Sequence, residues 1–230
     1  MLSYFPGANQ GIGLGLAHKF FEEGWEVFGS VRPQTINSPS LSDLRKVASK
    51  IFEIDYLDES LIARAAREYG DGPLDCLVNC AGVSQGPELW QEYDSQILTE
   101  WFRIMVVGPF LTTKYFESNL EKSEFGGKLV NISSPLGSIS ENYRGTKFGY
   151  KIAKAALNQE TRTIAMDLKG RKSSISVMAI DPGAVPTSLS RWRGNITVEE
   201  SSSGIYAVID RVGVSETGGF WSWNGEEYPF

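Results

Sequence analysis

Three side chains in the second half of the sequence have types and spacing suited to acid–base chemistry on a carbonyl or an alcohol. Tyr150 and Lys154 are four residues apart in a helical pattern, which places them on one helix face, one turn from each other. A free tyrosine has a pKa near ~10, and a neighbouring cation lowers that pKa by stabilising the phenolate. Ser134 follows a strand pattern, where its hydroxyl is placed to hydrogen-bond a substrate oxygen. Together they form a candidate proton-transfer site without histidine.

A second tyrosine and lysine pair competes with the first. Tyr143 and Lys147 have the same spacing and precede Tyr150 by seven residues. Spacing alone does not choose between the two pairs, because a tyrosine beside a lysine on an exposed helix face is common. The neighbouring motifs decide between them below.

A glycine-rich turn lies near the start of the chain, between a strand pattern and a helix pattern. The run from Gly7 to Gly13 has three glycines, spaced G-x-x-x-G-x-G. Glycines at such a place allow a tight turn and let backbone amides approach a pyrophosphate at the helix N-terminus. We predict a dinucleotide phosphate site here.

The end of the second predicted strand indicates which dinucleotide. In such folds an acidic residue at that point accepts a hydrogen bond from the adenosine 2′-hydroxyl, whereas a basic residue accommodates a 2′-phosphate. The stretch Gly29-Ser30-Val31-Arg32 has an arginine and no acid. We therefore predict NADP(H) as the cofactor, with Arg32 as the 2′-phosphate ligand.

Composition excludes several other classes of protein and site. The net charge of −6 argues against a nucleic-acid-binding surface, and the sequence has no apolar stretch long enough for a membrane span. One histidine, His18, and two cysteines, Cys76 and Cys80, are too few for a Ser-His-Asp triad or a His/Cys zinc site, so we expect no metal. The cysteine usage and the lack of a signal peptide pattern favour a cytoplasmic location.

Strand and helix patterns alternate along the whole chain. This alternation predicts an α/β fold, a single doubly wound Rossmann-type domain over residues 1–230 with a parallel sheet and helices on both faces. Asp58 is predicted to cap the third helix. The strands are predicted at 2–5, 25–31, 51–54, 74–78, 128–132, 175–180 and 219–223. The helices are predicted after Gly13 (with Ile12, Leu16, Phe20 and Phe21 on one side) and at 42–50, 59–69, 94–119, 146–168 and 198–212.

Taken together, these motifs resemble the short-chain dehydrogenase/reductase family, in order and over nearly the entire chain. Asn79-Cys80-Ala81-Gly82 resembles its Asn-Asn-Ala-Gly element, and Asp181-Pro182-Gly183 begins a segment similar to its nicotinamide loop. The family typically continues Lys-Ala-Ala-Leu-Asn after the catalytic lysine, and only Lys154 does so. The size and the C-terminal sequence are similar to the C-factor and sniffer-like carbonyl reductase branch, which generally uses NADPH.

The resemblance implies a role for each matching residue. Tyr150 is expected to be the proton donor, Ser134 to polarise the substrate oxygen, and Lys154 to hold the nicotinamide ribose and lower the tyrosine pKa. Asp55 is expected to contact the adenine. The cofactor-binding residues implied are Gly7, Asn9, Gln10, Gly11, Ile12, Arg32, Asp55, Asn79, Ala81, Gly82, Tyr150, Lys154, Pro182, Gly183, Val185 and Thr187.

Two residues depart from the family pattern. Pro6 stands where a threonine usually precedes the first glycine, which suggests a slightly altered turn. Met105 stands where relatives commonly carry an asparagine that helps hold the water of a proton relay to the lysine. A methionine side chain cannot donate or accept in the same way, so the relay is slowed, rerouted or not needed.

The predicted function is an NADPH-dependent reductase acting on a small or aromatic ketone or alcohol. The substrate is expected among the segments 84–93, 136–149 and 188–199, with Trp90, Trp192 and Phe148 as apolar walls. The alternatives are a non-redox dehydratase or cyclase on the same scaffold, which Met105 motivates, and a nucleotide-sensing or signalling protein. The two long helices resemble those that pair across subunits in the family, which favours a homodimer.

Overall fold

A seven-stranded parallel sheet forms the centre of the molecule, which the computed structural model describes over all residues, 1–230. The strand order is β3-β2-β1-β4-β5-β6-β7, and every neighbouring pair of strands is parallel. Strands β2 and β3 extend the sheet on one side of β1, and strands β4 to β7 extend it on the other side. The reversal of strand order between β1 and β4 is where a doubly wound sheet opens a crevice at its carboxyl edge. The strands are β1 (Leu2–Pro6), β2 (Glu26–Val31), β3 (Ala48–Glu53), β4 (Cys76–Asn79), β5 (Lys128–Ile132), β6 (Ser176–Asp181) and β7 (Gly219–Ser222).

Helices cover both faces of this sheet. In chain order they are α1 (Gly11–Glu22), α2 (Leu44–Val47), α3 (Glu59–Tyr69), α4 (Ser95–Phe102), α5 (Gly108–Glu121), α6 (Phe148–Gly170) and α7 (Val198–Arg211). The adjacent residues Tyr4 and Phe5 of β1 are both fully buried, one in each of the two hydrophobic cores. Since successive side chains of a strand point to opposite faces, this requires a core on each side of the sheet. The α/β prediction is confirmed.

Helix ends follow local sequence signals where those signals are strong. Asp58 Oδ1 accepts a hydrogen bond from the Ser60 backbone amide, so the predicted cap of α3 is confirmed, and α3 has its predicted bounds. At α6 the prediction was two residues early, because Lys147 has a φ of +57° and the helix begins only at Phe148. Phe21, predicted to lie on the same side of α1 as Leu16 and Phe20, is exposed, whereas those two residues are fully buried.

Two predicted segments have a different internal structure. The helix predicted at 42–50 is reduced to Leu44–Val47, because the chain from Ala48 onward pairs with β2 as strand β3. The single helix predicted at 94–119 contains a π-helical segment at Arg103–Val107 between α4 and α5. A π turn inserts one extra residue and rotates the following helix relative to the preceding one. None of the helices is long and apolar enough to cross a membrane.

Candidate functional site

The glycine-rich turn packs so closely that Gly13 cannot carry a side chain. A Cβ on Gly13 would lie 2.3 Å from the Gly7 carbonyl oxygen, and Gly7 itself has a φ of +85°. Helix α1 begins at Gly11 with no side chain capping its first turn and no acidic residue in that turn. The first backbone N–H groups of α1 are thus left to a ligand, and the helix dipole makes that end attractive to an anion.

A cleft of about 350 Å³ runs from this turn along the carboxyl edge of the sheet. It lies at the switch between β1 and β4, where the two halves of the sheet diverge. Arg32 and Asp55, which follow β2 and β3, line one end, and Tyr150 and Lys154 on α6 line the other. The remaining predicted site residues on its wall are Gly7, Asn9, Gln10, Gly11, Ile12, Ala81, Gly82, Pro182 and Thr187.

Four predicted site residues lie behind or beside the wall of the cleft. Gly183 has a φ of +78° and shapes the turn after β6, while Val185 is buried. Ser134 is half-buried beside Tyr150, and its Oγ accepts a hydrogen bond from the Leu136 amide at 3.2 Å. These residues form the support of the site, with the Ser134 hydroxyl at its margin.

Asn79 is the fourth of these residues, and its side chain is buried in a network of hydrogen bonds. Its Oδ1 accepts hydrogen bonds from the hydroxyls of Tyr56 at 3.1 Å and Thr112 at 2.6 Å. Its Nδ2 donates to Asn131 Oδ1 at 2.9 Å, and Asn131 in turn donates to Thr161 on α6. This buried network ties β4 and β5 to α5 and α6, so the Asn79 side chain holds together the elements that carry the site.

Lys154 is buried and fixed by a hydrogen bond at the α6 end of the cleft. The side chain is buried, with the residue only 4% exposed, and its Nζ donates to the Ile132 carbonyl oxygen at 2.6 Å. Burial lowers the pKa of Lys154 to about 8, because a desolvated ammonium is less stable than a neutral amine, while Cys80 and Asp181 oppose this change. At pH 7 the lysine remains mainly protonated.

The pKa of Tyr150 moves in the opposite direction from the sequence-based expectation. Burial raises it to about 12, with hydrogen bonding by Ser134 as the opposing influence and the charges of Asp181 and Cys80 adding to the increase. The Lys154 Nζ lies 5.8 Å from the centre of the Tyr150 ring, too far to outweigh the loss of solvent around the phenolate. Tyr150 is therefore a protonated phenol at neutral pH, the form that donates a proton.

The competing pair lies outside the site. Tyr143 is 79% exposed, and Lys147 is exposed in a left-handed backbone conformation just before α6. Neither residue lines the cleft. The choice of Tyr150 and Lys154 over Tyr143 and Lys147 agrees with this placement.

Met105 lies inside the π-helical segment, fully buried in a small apolar cluster with Trp101, Val106 and Ala153. Tyr150 packs against the same cluster. No hydrogen-bonding side chain is therefore present at the position where relatives commonly have an asparagine. The Met105 side chain packs against Ala153 of α6 and offers Lys154 no hydrogen bond. The hydrogen-bond partner of Lys154 Nζ is the Ile132 carbonyl oxygen.

The loop after β6 closes over the mouth of the cleft through two side-chain hydrogen bonds. Ser84 Oγ donates to the Leu189 carbonyl oxygen at 2.5 Å, and Gln85 Nε2 donates to the Ser188 carbonyl oxygen at 2.7 Å. Val83 and Leu189 line the cleft near Tyr150. Trp90 and Trp192, which were predicted as apolar walls, are 61% and 74% exposed and lie outside the cleft wall.

Sequence reasoning assigned no role in the site to several residues of the cleft wall. These residues are Pro6, Ser30, Val31, Ile54, Tyr56, Leu57, Val83, Glu100, Ile104, Ile132 and Ser133. Most of them end a strand or directly follow one, so the rule that ligands bind at the carboxyl edge of a parallel sheet would have found them. Glu100 and Ile104 carry no such signal, since they reach the cleft from α4 and the π-helical segment. No cluster of three or more His, Cys, Asp or Glu side chains is arranged to hold a metal ion.

Residues 5–195 match the protein family described as short chain dehydrogenase. The chain is 29% identical over 162 residues to the C-signal of Myxococcus xanthus, a match that covers 69% of this chain and 94% of that protein. It is 31% identical over 183 residues to the 3-amino-tetrahydro-pyrrolizinone reductase of Xenorhabdus hominickii, covering 79% of this chain and 60% of that reductase.

Solved structures similar to this fold include two carbonyl reductases. The NADPH-bound carbonyl reductase from chicken fatty liver superimposes with a TM-score of 0.90 at 26% identity, covering 99% of this chain and 98% of that one. The carbonyl reductase Sniffer of D. melanogaster gives a TM-score of 0.89 at 26% identity, with the same coverage. The match extends over the full sheet and both helical layers.

Proposed function

This chain belongs to the short-chain dehydrogenase family, and we propose that it is an NADPH-dependent ketoreductase that acts on a small or aromatic ketone or the corresponding alcohol. The observation that carries this proposal is the single cleft shared by the glycine turn, Arg32, Tyr150 and Lys154. It joins a phosphate cradle to a proton donor along one edge of the sheet. The carbonyl reductase neighbours support a redox function over the dehydratase, cyclase and signalling alternatives.

The residues of the cleft fit a dinucleotide. The Gly7 carbonyl oxygen occupies the space where a Cβ on Gly13 would lie, so the turn stays tight. No side chain caps the first turn of α1, so its backbone amides are free to bind a pyrophosphate. Exposed Arg32, at the end of β2, supplies a guanidinium for the 2′-phosphate. Asp55 lines the same end of the cleft, next to the expected adenine. When bound, the nicotinamide would supply the hydride for the substrate carbonyl carbon.

The protein's own side chains would donate the proton and bind the carbonyl oxygen of the substrate. Tyr150, protonated at neutral pH, donates its hydroxyl proton to the carbonyl oxygen as negative charge develops there. Ser134 donates a hydrogen bond to the same oxygen and polarises the carbonyl. Lys154, fixed by the Ile132 carbonyl, provides the positive charge that stabilises Tyr150 after it has lost its proton.

The substrate end of the cleft favours an apolar ketone. Val83 and Leu189 come from the two loops that meet over the mouth of the cleft, and both line it. Neither side chain offers a hydrogen bond, so substrate recognition would depend on shape and on the polar pair Tyr150 and Ser134. An alkyl or aryl ketone without charged groups is the substrate class that matches these walls.

Cofactor binding tests the first half of the proposal. NADPH and NADH are titrated into the purified protein by fluorescence, with Arg32→Ala and Arg67→Ala run alongside. Loss of the Arg32 guanidinium is expected to weaken NADPH binding about 10- to 100-fold and to leave NADH binding nearly unchanged. Arg67, exposed on α3 and outside the cleft, is the matched control. Absence of binding by either nucleotide would refute the redox mechanism.

Turnover tests the second half. A panel of alkyl and aryl ketones is followed by NADPH consumption in the wild type, Tyr150→Phe and Tyr143→Phe. Removal of the Tyr150 hydroxyl is expected to lower kcat about 10²- to 10⁴-fold, the usual contribution of a positioned acid. Tyr143→Phe removes the same group from the exposed pair and is expected to retain wild-type turnover. Equal losses in both variants would contradict the assignment of Tyr150.

We also propose that the protein is a homodimer formed through α4, α5 and α6. Large apolar side chains are exposed on these helices: Phe102, Phe110, Ile152 and Met166. Covering such side chains with the same surface of a second copy would remove them from water. Analytical ultracentrifugation of the wild type and of Phe110→Glu is expected to give a dimer and a monomer, respectively. A monomeric wild type would contradict the proposal.

A further inference from the structure

Asp181 is a buried carboxyl group that the reaction described above does not use. It is the last residue of β6 and is 5% exposed. Its backbone carbonyl accepts a hydrogen bond from the Trp223 amide, and the nearby Gly183 amide acts to lower the pKa of its side chain. No lysine or arginine, Lys154 included, lies close enough to its carboxylate to form a direct salt bridge. A buried carboxylate is costly unless a positive charge or several donors stabilise it.

The register of the sheet places Asp181 beside the anchor of Lys154. Ile180 pairs with Ile132, and the Ile132 carbonyl oxygen is the acceptor for Lys154 Nζ. Neighbouring strands lie about 4.8 Å apart, so the residue that follows Ile180 lies within side-chain reach of that ammonium. Asp181 thus occupies the same end of the sheet as the lysine.

The alternation of side chains directs Asp181 toward α6. Ile180 belongs to the core under α1 and α7, whereas Val177 belongs to the core that α6 covers. Odd-numbered residues of β6 therefore face α6, and Asp181 is one of them. On the neighbouring strand, the Ser133 hydroxyl, which immediately follows Ile132, donates to Asn158 Oδ1 on α6, one turn after Lys154. Asp181 and Lys154 therefore lie on the same side of the sheet, at the same end.

We propose that Asp181 is the counter-charge of Lys154, a positioning residue that keeps the lysine ammonium protonated inside the buried site. Only the expected effect on turnover rests on the proposed function. The lysine otherwise has a neutral carbonyl as its fixed partner, and Met105 supplies no polar group nearby. A carboxylate facing a desolvated ammonium offsets the cost of burying it.

The titratable groups around the pair agree with this arrangement. Lys154 and Tyr150 on α6 are both influenced by the charge of Asp181, and Cys80, in the segment after β4, is a further titratable group near Lys154 and Tyr150. Asp181 raises the pKa of Lys154 against the effect of burial, and Lys154 lowers the pKa of Asp181, which burial raises to about 6. Both groups are therefore charged in the window between about pH 6 and pH 8, where the carboxyl has lost its proton and the lysine has kept its own.

A purely structural role for Asp181 makes a different prediction. In that role the carboxylate only interacts with the nearby Gly183 amide and shapes the turn into Pro182. Asp181→Asn keeps an acceptor at that place and removes the charge, whereas Asp181→Ala removes both. The counter-charge role predicts that both variants change Lys154, and the turn role predicts that only the alanine variant does.

The pKa of Lys154 in the protein without added nucleotide is the direct readout. Lysine side chains are labelled with ¹³C at Cε and titrated by NMR, and the Lys154 signal is assigned by its absence in Lys154→Gln. Asp181→Asn is expected to lower the pKa of Lys154 by about one unit, as the loss of one nearby opposite charge does. Asp210→Asn, on the exposed face of α7, is the matched control, because Asp210 acts on Lys128 and not on Lys154.

An unchanged pKa of Lys154 in folded Asp181→Asn would overturn the proposal, whatever the enzyme's activity. If NADPH-dependent turnover is present, Asp181→Asn is also expected to move the alkaline limit of its pH profile to lower pH, by the same unit. Circular dichroism checks that the variant is folded. A wild-type pKa of Lys154 in Asp181→Glu would support the negative charge as the cause of the effect. Failure of the proposed reductase function would leave the NMR result standing, so the two outcomes are distinguishable.

Discussion

Gly137 and Lys154 are in such close contact that the glycine cannot carry a side chain. A Cβ on Gly137 would lie 2.7 Å from the backbone carbon of Lys154 and 2.9 Å from its Cβ. Gly137 ends the short helical turn that Ser134 caps, and Lys154 lies on α6. The approach of these two backbones sets the distance between Ser134 and the Tyr150–Lys154 pair.

Gly137→Ala is expected to separate the serine from the tyrosine while leaving both side chains present. The displaced turn would lower kcat about 10- to 100-fold with little change in NADPH affinity, because a misplacement near 1 Å costs that much in an oriented site. Steady-state kinetics and a cofactor titration measure the two effects. Gly145→Ala is the control, since a Cβ there meets nothing within 4 Å. Wild-type kcat in Gly137→Ala would contradict the proposed coupling.

Met105→Asn tests whether the position needs an amide for catalysis or an apolar group for packing. Met105 is fully buried between Trp101, Val106 and Ala153, where an amide would lose its contacts with water. We expect the variant to lose on the order of 2 kcal/mol of stability and to gain no turnover. Urea unfolding measures the change in stability, and the rate of ketone reduction measures turnover. Met105→Leu is the volume-conserving control. Faster turnover in Met105→Asn would show that proton relay limits the wild type.

Glu160 gives a prediction for the pH dependence of stability. Burial raises the pKa of this carboxyl from 4.5 to about 8, and its Oε1 has no hydrogen-bond partner. The folded protein therefore holds a proton that the unfolded chain releases, so stability falls as pH rises from about 4.5 to about 8. Glu160→Gln removes this loss and is expected to gain on the order of 2 kcal/mol at pH 8.

Thermal unfolding at pH 5 and pH 8 measures the Glu160 effect. The Tm of Glu160→Gln is expected to exceed that of the wild type clearly at pH 8 and only slightly at pH 5. Glu121→Gln, an exposed change at the end of α5, is expected to have the same small effect at both pH values. An equal Tm difference at the two pH values would contradict a raised pKa of Glu160.

The two hydrogen bonds that hold the loop after β6 give a prediction independent of catalysis. Ser84 and Gln85 bind the carbonyl oxygens of Leu189 and Ser188, and the arginines Arg191 and Arg193 just beyond are exposed. Ser84→Ala/Gln85→Ala is expected to open the loop more often and to speed trypsin cleavage after these arginines several-fold. Gln91→Ala is the surface control. Unchanged cleavage in the double variant would show that the loop is held by other contacts.

The fold was predictable because its local signals agree with one another. Alternating strand and helix patterns, the capping aspartate Asp58 and the glycine turn all specify the same parallel α/β arrangement. Where local signals were weak, pairing decided the outcome: Ala48 to Lys50 joined β3 because β2 offers hydrogen bonds along that stretch. The π-helical segment around Met105 carried no sequence signal, since the packing of Trp101 and Ala153 around it involves residues far apart in sequence.

The sequence by itself determined which side chains can do chemistry and which end of the sheet they reach. The order of Gly7, Arg32, Tyr150 and Lys154 along the chain, relative to the strands, was enough to place them at one edge. Tertiary structure alone decided how these groups behave. Spacing predicted that Lys154 lowers the pKa of Tyr150, whereas burial raises it, because desolvation depends on every neighbour of the phenol and not on the one residue a helical turn away.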